Sequence, residues 1–291
     1  MAACATRSAS SAARVTEEVA TGLLGLSHDE LSVLFDGLAD PLQPVVAVAL
    51  SSTCLELQKP LQAALEVLKP QHESAVALCR KVLLRCVGLR EAKRLEWRNE
   101  RLTPADMATL GMLLPKCSSL TYLALYGNTI GNEGATALAA GVAASSSLAE
   151  LWLGKNYIGD KGAKALAAGV AASRSLAQLG LGINQIGDEG AKALAAGVAA
   201  SGSLAKLWLQ ANSIGDEGAK ALAGVAASGS LTILNLNGNT IGHEGAMALA
   251  RCVAASDSMA TLVLTGNQIG AAASKSLHKA VEDRQGFELY V

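Results

Sequence analysis

The sequence predicts an α/β solenoid: a right-handed, curved stack of strand–helix units with a parallel sheet inside and helices outside. Two observations carry this. A motif beginning at Leu120, LTYLALYGNTIGNEGATALAAGVAASSS, recurs from Leu148, Leu176, Leu204, Leu231 and Met259 at steps of 28, 28, 28, 27 and 28 residues. Repetition at such a period is the signature of stacked supersecondary units. Each unit also changes period part-way. Leu148–Leu153 ends in Leu-x-Leu, the alternation of a short strand, whereas Ala163, Leu166 and Val170 follow at helical spacing.

A diverged copy fits the same register upstream from Ala92, with Leu95, Trp97, Leu102, Met107, Leu110 and Leu114 in the apolar slots, so seven repeats cover residues 92–286. Between strand and helix an asparagine recurs as Asn128, Asn156, Asn184, Asn212, Asn239 and Asn267. An amide at that corner donates and accepts at once, and stacked copies satisfy backbone groups that would otherwise be buried unpaired. The helix starts are acidic at Glu133, Asp160, Asp188, Glu189, Asp216, Glu217 and Glu244, where carboxylates complement the positive end of the helix dipole. One strand and one helix cannot bury their own apolar faces; a stack of them can. Phe287–Val291 reads as an eighth strand pairing with the seventh, with an edge open to another chain or a second copy.

The Leu-x-x-Leu-x-Leu-x-x-Asn-x-Ile-Gly pattern of these units resembles the ribonuclease-inhibitor-like subfamily of leucine-rich repeats. The resemblance implies a leucine-rich-repeat horseshoe and, for function, only binding in general.

Residues 20–91 lack the repeat and read as a helical block. Ser27-His28-Asp29-Glu30 fits a capping box, and prolines suggest further helices from near Pro44, from Pro60, and from about His72 to Val87. A block of this kind can cap the apolar end of a solenoid. The spacing of Leu26, Leu31, Leu34, Phe35, Leu38, Pro41 and Leu42, followed by Leu50-Ser51 and Thr53-Cys54, also resembles the F-box. That resemblance implies docking on the Skp adaptor of a cullin ubiquitin ligase. Ser27 stands where the F-box usually has proline. Both readings stay open. Residues 1–16 are rich in Ala and Ser, carry Arg7 and Arg14 and no acid, and fit either a tail or an organelle-targeting segment.

Composition narrows the function. The formal net charge of −1 offers no strong field for nucleic acid or an anionic membrane, and no apolar run reaches the roughly 18 residues of a membrane span. Cys4, Cys54, Cys79, Cys86, Cys117 and Cys252 form no CxxC pair. They read as free thiols of a reducing, intracellular and cytoplasmic setting, with no metal site.

Comparison between repeats locates a surface. Positions held constant serve the stack; positions that vary are free for other work. The variable residues flank the Leu-x-Leu pair and alternate onto the inner face of the sheet. In order they are Arg94, Glu96 and Arg98; Tyr122, Ala124 and Tyr126; Glu150, Trp152, Gly154 and Lys155; Gln178, Gly180 and Gly182; Lys206, Trp208 and Gln210; Ile233, Asn235 and Asn237; Thr261, Val263 and Thr265. Trp152 and Trp208 share one slot two strands apart, which places them roughly 10 Å apart with an open slot over Gly180. Exposed tryptophan is enriched among interface hot spots, so the expected partner is a protein or peptide on the concave face. The candidate contacts are Tyr122, Tyr126, Glu150, Trp152, Lys155, Gln178, Gly180, Lys206, Trp208, Gln210, Asn235 and Asn237. Catalysis and a cofactor find no support: His28, His72, His243 and His278 are scattered, with no triad-like arrangement. The acidic IGDEG loops lack the ligand spacing of a calcium loop and read as helix caps. The Ran GTPase activator uses the same repeat subfamily, which gives an alternative from another class; its acidic tail has no counterpart in the closing GFELYV.

Overall fold

The computed structural model describes residues 55–227 and 231–291. The chain divides into two compact units, residues 1–89 and 90–291. The F-box-like positions Leu26 to Cys54, and the tail before them, lie outside the described residues.

In the first unit, α1 spans Leu55–Lys81, and a short α2, Cys86–Glu91, crosses the boundary. The helix starts expected at Pro60 and His72 are therefore absent: one 27-residue helix runs through Pro60 and Pro70. A proline inside a helix removes one backbone bond and costs about 3 kcal/mol. Buried Leu68, Ala75, Leu78 and Cys79 continue one helical stripe across Pro70, and burial along that stripe offsets the loss.

The second unit is the repeat stack. Strand and helix alternate as β1 (Arg94–Glu96), α3 (Pro104–Leu113), β2 (Tyr122–Ala124), α4 (Gly131–Ala144), β3 (Glu150–Trp152), α5 (Asp160–Ala172), β4 (Gln178–Gly180), α6 (Asp188–Ala200), β5 (Lys206–Trp208), α7 (Asp216–Ala227), β6 (Ile233–Asn235), α8 (His243–Ala255), β7 (Thr261–Val263), α9 (Ala271–Val281) and β8 (Glu288–Tyr290). The strands form one eight-stranded parallel sheet in sequence order, open rather than closed into a barrel. The fold is the curved α/β solenoid that the repeats imply. The eighth strand pairs with the seventh through Thr261–Glu288, Leu262–Leu289 and Val263–Tyr290, as the register of Phe287–Val291 predicts.

The core is laid down in identical layers. In the third repeat Leu148, Leu151, Leu153, Ile158, Ala163, Leu166 and Val170 are all 2% exposed or less. The recurring asparagine holds layers together as expected. Asn156 Nδ2 donates to Leu125 O (2.9 Å) of the preceding repeat and Leu153 O (3.0 Å) of its own. Its Oδ1 accepts from Asn128 N (3.1 Å).

The helix-start acids work differently from the sequence expectation. Asp160 caps the helix of the following repeat: its Oδ1 accepts from Gly187 N (2.7 Å) and Gly190 N (2.9 Å) at the start of α6. Asp188 does the same for Gly215 and Gly218, Asp216 for Gly242 and Gly245, and Asn132 for Gly159 and Gly162. The second glycine of each pair is what admits the carboxylate. A Cβ on Gly190 would lie 2.6 Å from Asp160 Oδ1.

Candidate interaction surface

The inner face is ordered in rows by strand register. Arg94, Tyr122, Glu150, Gln178, Lys206, Ile233, Thr261 and Glu288 align in one row. Glu96, Ala124, Trp152, Gly180, Trp208, Asn235, Val263 and Tyr290 align in the next. The strand-centre leucines of β1 to β7 between these rows point into the core. Main-chain bonds just past the strands carry a third row through Tyr126, Gly154, Gly182, Gln210 and Asn237. Lys155 stands one residue beyond this row, exposed, at the corner leading to the helix.

The first end of the face is a closed polar network. Glu96 pairs with Arg94 (2.7 Å) and Arg98 (3.3 Å), and the Arg94 guanidinium stacks 3.3 Å over the Tyr122 ring. At the other end Asn235 Oδ1 accepts from Asn237 N (3.0 Å), and Asn237 Nδ2 donates to Thr265 O (2.9 Å). Both sets spend their polar groups on one another.

The centre differs from the sequence expectation. Trp152 and Trp208 do not wall an open slot. Their ring centroids are 4.6 Å apart at an interplanar angle of 44°. Trp152 folds across Gly180, and a Cβ there would collide with its six-membered ring. Strand spacing fixes the Cα positions but not the side-chain torsions, and a glycine between two indoles leaves room for them to meet. Tilted aromatic contact adds about 0.5–1.5 kcal/mol to the burial. The same device recurs nearby: Tyr126 lies over Gly154 and Gln210 over Gly182. Each gap left by a glycine is filled by a large neighbour. Both indoles remain partly exposed, and Trp152 Nε1 donates to Glu150 Oε2 (3.4 Å). Gln210 Oε1 is buried with no hydrogen-bond partner among the described residues. The centre is therefore a raised aromatic platform flanked by Glu150, Gln178, Lys206 and the amide of Gln210.

Residues 116–139, 144–167, 172–195, 203–223 and 228–250 match the family model described as Leucine Rich repeat. The chain contains leucine-rich repeats. No curated protein matches it. Among solved structures the chain is similar to actin-binding site 2 of leiomodin-1 (12% identity, 74% of this chain and 91% of that chain, TM-score 0.34). It is also similar to the C-terminal domain of tropomodulin from Caenorhabditis elegans (13%, 61% and 92%, 0.36) and an internalin of Listeria monocytogenes (20%, 60% and 49%, 0.36). At this degree of similarity none of them bears on what this chain binds.

The leucine-rich repeats also share a left-handed corner that sequence spacing does not reveal. One residue past the third row, φ is positive at Asn99 (59°), Gly127 (73°), Lys155 (55°), Ile183 (57°), Ala211 (53°), Gly238 (64°) and Gly266 (71°). The stack imposes this conformation whatever the residue. Glycine meets it freely, whereas an L side chain costs about 1–2 kcal/mol there and a β-branched one is a genuine outlier. Ile183→Gly is accordingly expected to raise stability by about 1 kcal/mol, after the entropy a glycine loses on folding is set against the relieved strain. Urea melts of the two proteins check this. A loss of stability would show that the Ile183 side chain, 45% exposed, is held by contacts stronger than the strain.

Proposed function

We propose that this chain is a non-enzymatic protein-interaction module or scaffold that binds a protein or peptide on the concave sheet face. The observation that carries the reading is the Trp152–Trp208 platform. Two indoles sit in contact, partly exposed, in a row of the sheet whose occupants vary from repeat to repeat. Large rigid rings of this kind supply contact area at little entropic cost, and Glu150, Lys206 and Gln210 give polar groups around them. The reading requires no cofactor. The 28-residue period and helical outer half further support assigning the repeats to the ribonuclease-inhibitor-like subtype. No observation favours the Skp-adaptor or Ran-activator alternatives, so neither is advanced.

Peptides selected by display against the whole chain test the reading. The double variant Trp152→Ala, Trp208→Ala is expected to lose at least about 2 kcal/mol of affinity, roughly 30-fold, with an unchanged circular dichroism spectrum. Selected peptides that bind the double variant as tightly as the parent would place the binding surface elsewhere.

A further inference from the structure

Outside the inner face the third repeat differs from its neighbours by a lysine in each of two slots, and in a third slot it shares a lysine with the two repeats that follow. At the left-handed corner the series from the second repeat onward runs Gly127, Lys155, Ile183, Ala211, Gly238. On the first helical turn it runs Glu133, Lys161, Glu189, Glu217, Glu244, and one turn on it runs Thr136, Lys164, Lys192, Lys220, Met247. In α6 and α7 the lysine is neutralised by the acid three residues before it: Lys192 pairs with Glu189 at 2.9 Å and Lys220 with Glu217 at 2.8 Å. Lys220 also reaches Glu244 of the next repeat at 2.6 Å. In α5 the acid is replaced by Lys161. Lys155, Lys161 and Lys164 are all exposed, and none has an ion-pair partner among the described residues. Nor can Asp160 serve them fully, because its Oδ1 is occupied by Gly187 N and Gly190 N.

Like charges three residues apart on a helix are unfavourable, so the arrangement costs stability that the neighbouring repeats avoid. Two further features accompany it. A groove of about 420 Å³ opens between α5 and α6, lined by Asp160, Lys161, Lys164, Glu189, Lys192 and Ala193. At the corner that leads into α5, Tyr157 is 59% exposed with φ 58°, and Ile183 of the next repeat is 45% exposed with φ 57°. The stack imposes the φ of Ile183; what is particular to these two positions is that a large apolar side chain is left in solvent. The third repeat thus presents three uncompensated cations and the exposed Tyr157, and the fourth adds the exposed Ile183.

We infer that the third repeat carries a second docking surface, for an acidic segment of a partner protein. Carboxylates of the segment pair with Lys155, Lys161 and Lys164, and an apolar side chain covers Tyr157 and Ile183. The observations favour a protein segment over a nucleic acid. Ile183 offers no face for base stacking, and three lysines release few counterions. This surface lies off the concave platform and does not depend on it.

The test uses the whole chain and a dye-labelled octapeptide with a central Leu-Phe pair between three acidic residues on either side, followed by fluorescence anisotropy. The expected result is saturable binding that weakens with salt. Lys161→Glu restores the ion pair of the neighbouring repeats, so it should leave the fold intact or slightly more stable while weakening the peptide by about tenfold. Tyr157→Ser should weaken it as well. Trp152→Ala with Trp208→Ala should leave it unchanged, so failure of the concave-face reading is scored separately. Four outcomes overturn the inference: no saturation up to about 1 mM peptide; equal binding of the counterpart with amides in place of carboxylates; tighter binding of an eight-nucleotide oligothymidylate than of the peptide; or an affinity that Lys161→Glu does not move.

Discussion

Replacing Asn156 by Ala is expected to destabilise the stack by about 3 kcal/mol, a large share of the roughly 5–15 kcal/mol that holds a domain folded. The side chain is fully buried. Its removal strands Asn128 N, 3.1 Å from the amide oxygen, and takes one donor each from Leu125 O (2.9 Å) and Leu153 O (3.0 Å), which keep the amides of Asn128 and Asn184. A buried group left without a partner costs about 1–3 kcal/mol and each further lost bond about 0.5–1.5 kcal/mol, and water reaching the corner returns part of that. Asn156→Asp keeps the acceptor but loses both donations, and should cost no less. Because a repeat contacts mainly its neighbours, the loss should be local. Hydrogen exchange should rise first in β2 and β3 while β6 and β7 stay protected. Gln178→Ala on the inner face, where the side chain makes no such bonds, is the control and should fall within about 0.5 kcal/mol. A denaturant midpoint for Asn156→Ala within about 1 kcal/mol of the parent would mean that the ladder is not what couples the repeats.

That ladder was legible in the sequence because everything in it repeats with the period of the chain. An asparagine at one slot of every unit must meet its own copies in the units on either side, so the spacing alone places the contact. The apolar slots and the eighth strand were legible for the same reason. What the period does not contain is direction or torsion. Asp160 stands at the start of α5, and its position there predicts that it caps α5; only the offset between stacked helices turns it toward Gly187 and Gly190 of α6. The Cα positions of Trp152 and Trp208 follow from strand spacing, but the rotamers that bring the rings to 4.6 Å depend on the empty volume over Gly180. The strained corner is invisible for a related reason. Gly127 hints at positive φ, yet Ile183 in the same slot argues against it, and the stack overrules the local preference. The proline-containing α1 shows the opposite case, in which a strong local signal was overruled by burial along one stripe.

Gly141→Val is expected to cost about 3 kcal/mol or more, although both residues are small and apolar. The position faces α3 at close range: a Cβ on Gly141 would collide with Gly111 O and lie 2.7 Å from Gly111 Cα. Those are backbone atoms of a packed helix and cannot swing aside, so the helices must separate and the layers above and below must follow. Forced overpacking of this kind typically costs 1–3 kcal/mol, and more when no side chain can yield. Gly169 and Gly197 hold the same slot, with the carbonyl oxygens of Ala139 and Ala167 at 2.7 and 2.5 Å from their would-be Cβ atoms. The chain itself then departs from the rule. The register from the start of α7 puts Val225 in this slot, and α8 puts Cys252 there, both buried. The later helices are therefore built for a wider approach than α4–α6, and the tolerance of the slot must change along the stack. Cys252→Val should accordingly be mild, under about 1.5 kcal/mol, while Gly141→Val is severe. Ala140→Val, one residue away on the exposed side of α4, should stay within about 1 kcal/mol, set mainly by its lower helix propensity. Equal losses for Gly141→Val and Cys252→Val in parallel urea melts would show that helix spacing is uniform and that the glycines are not what draws α3, α4, α5 and α6 together.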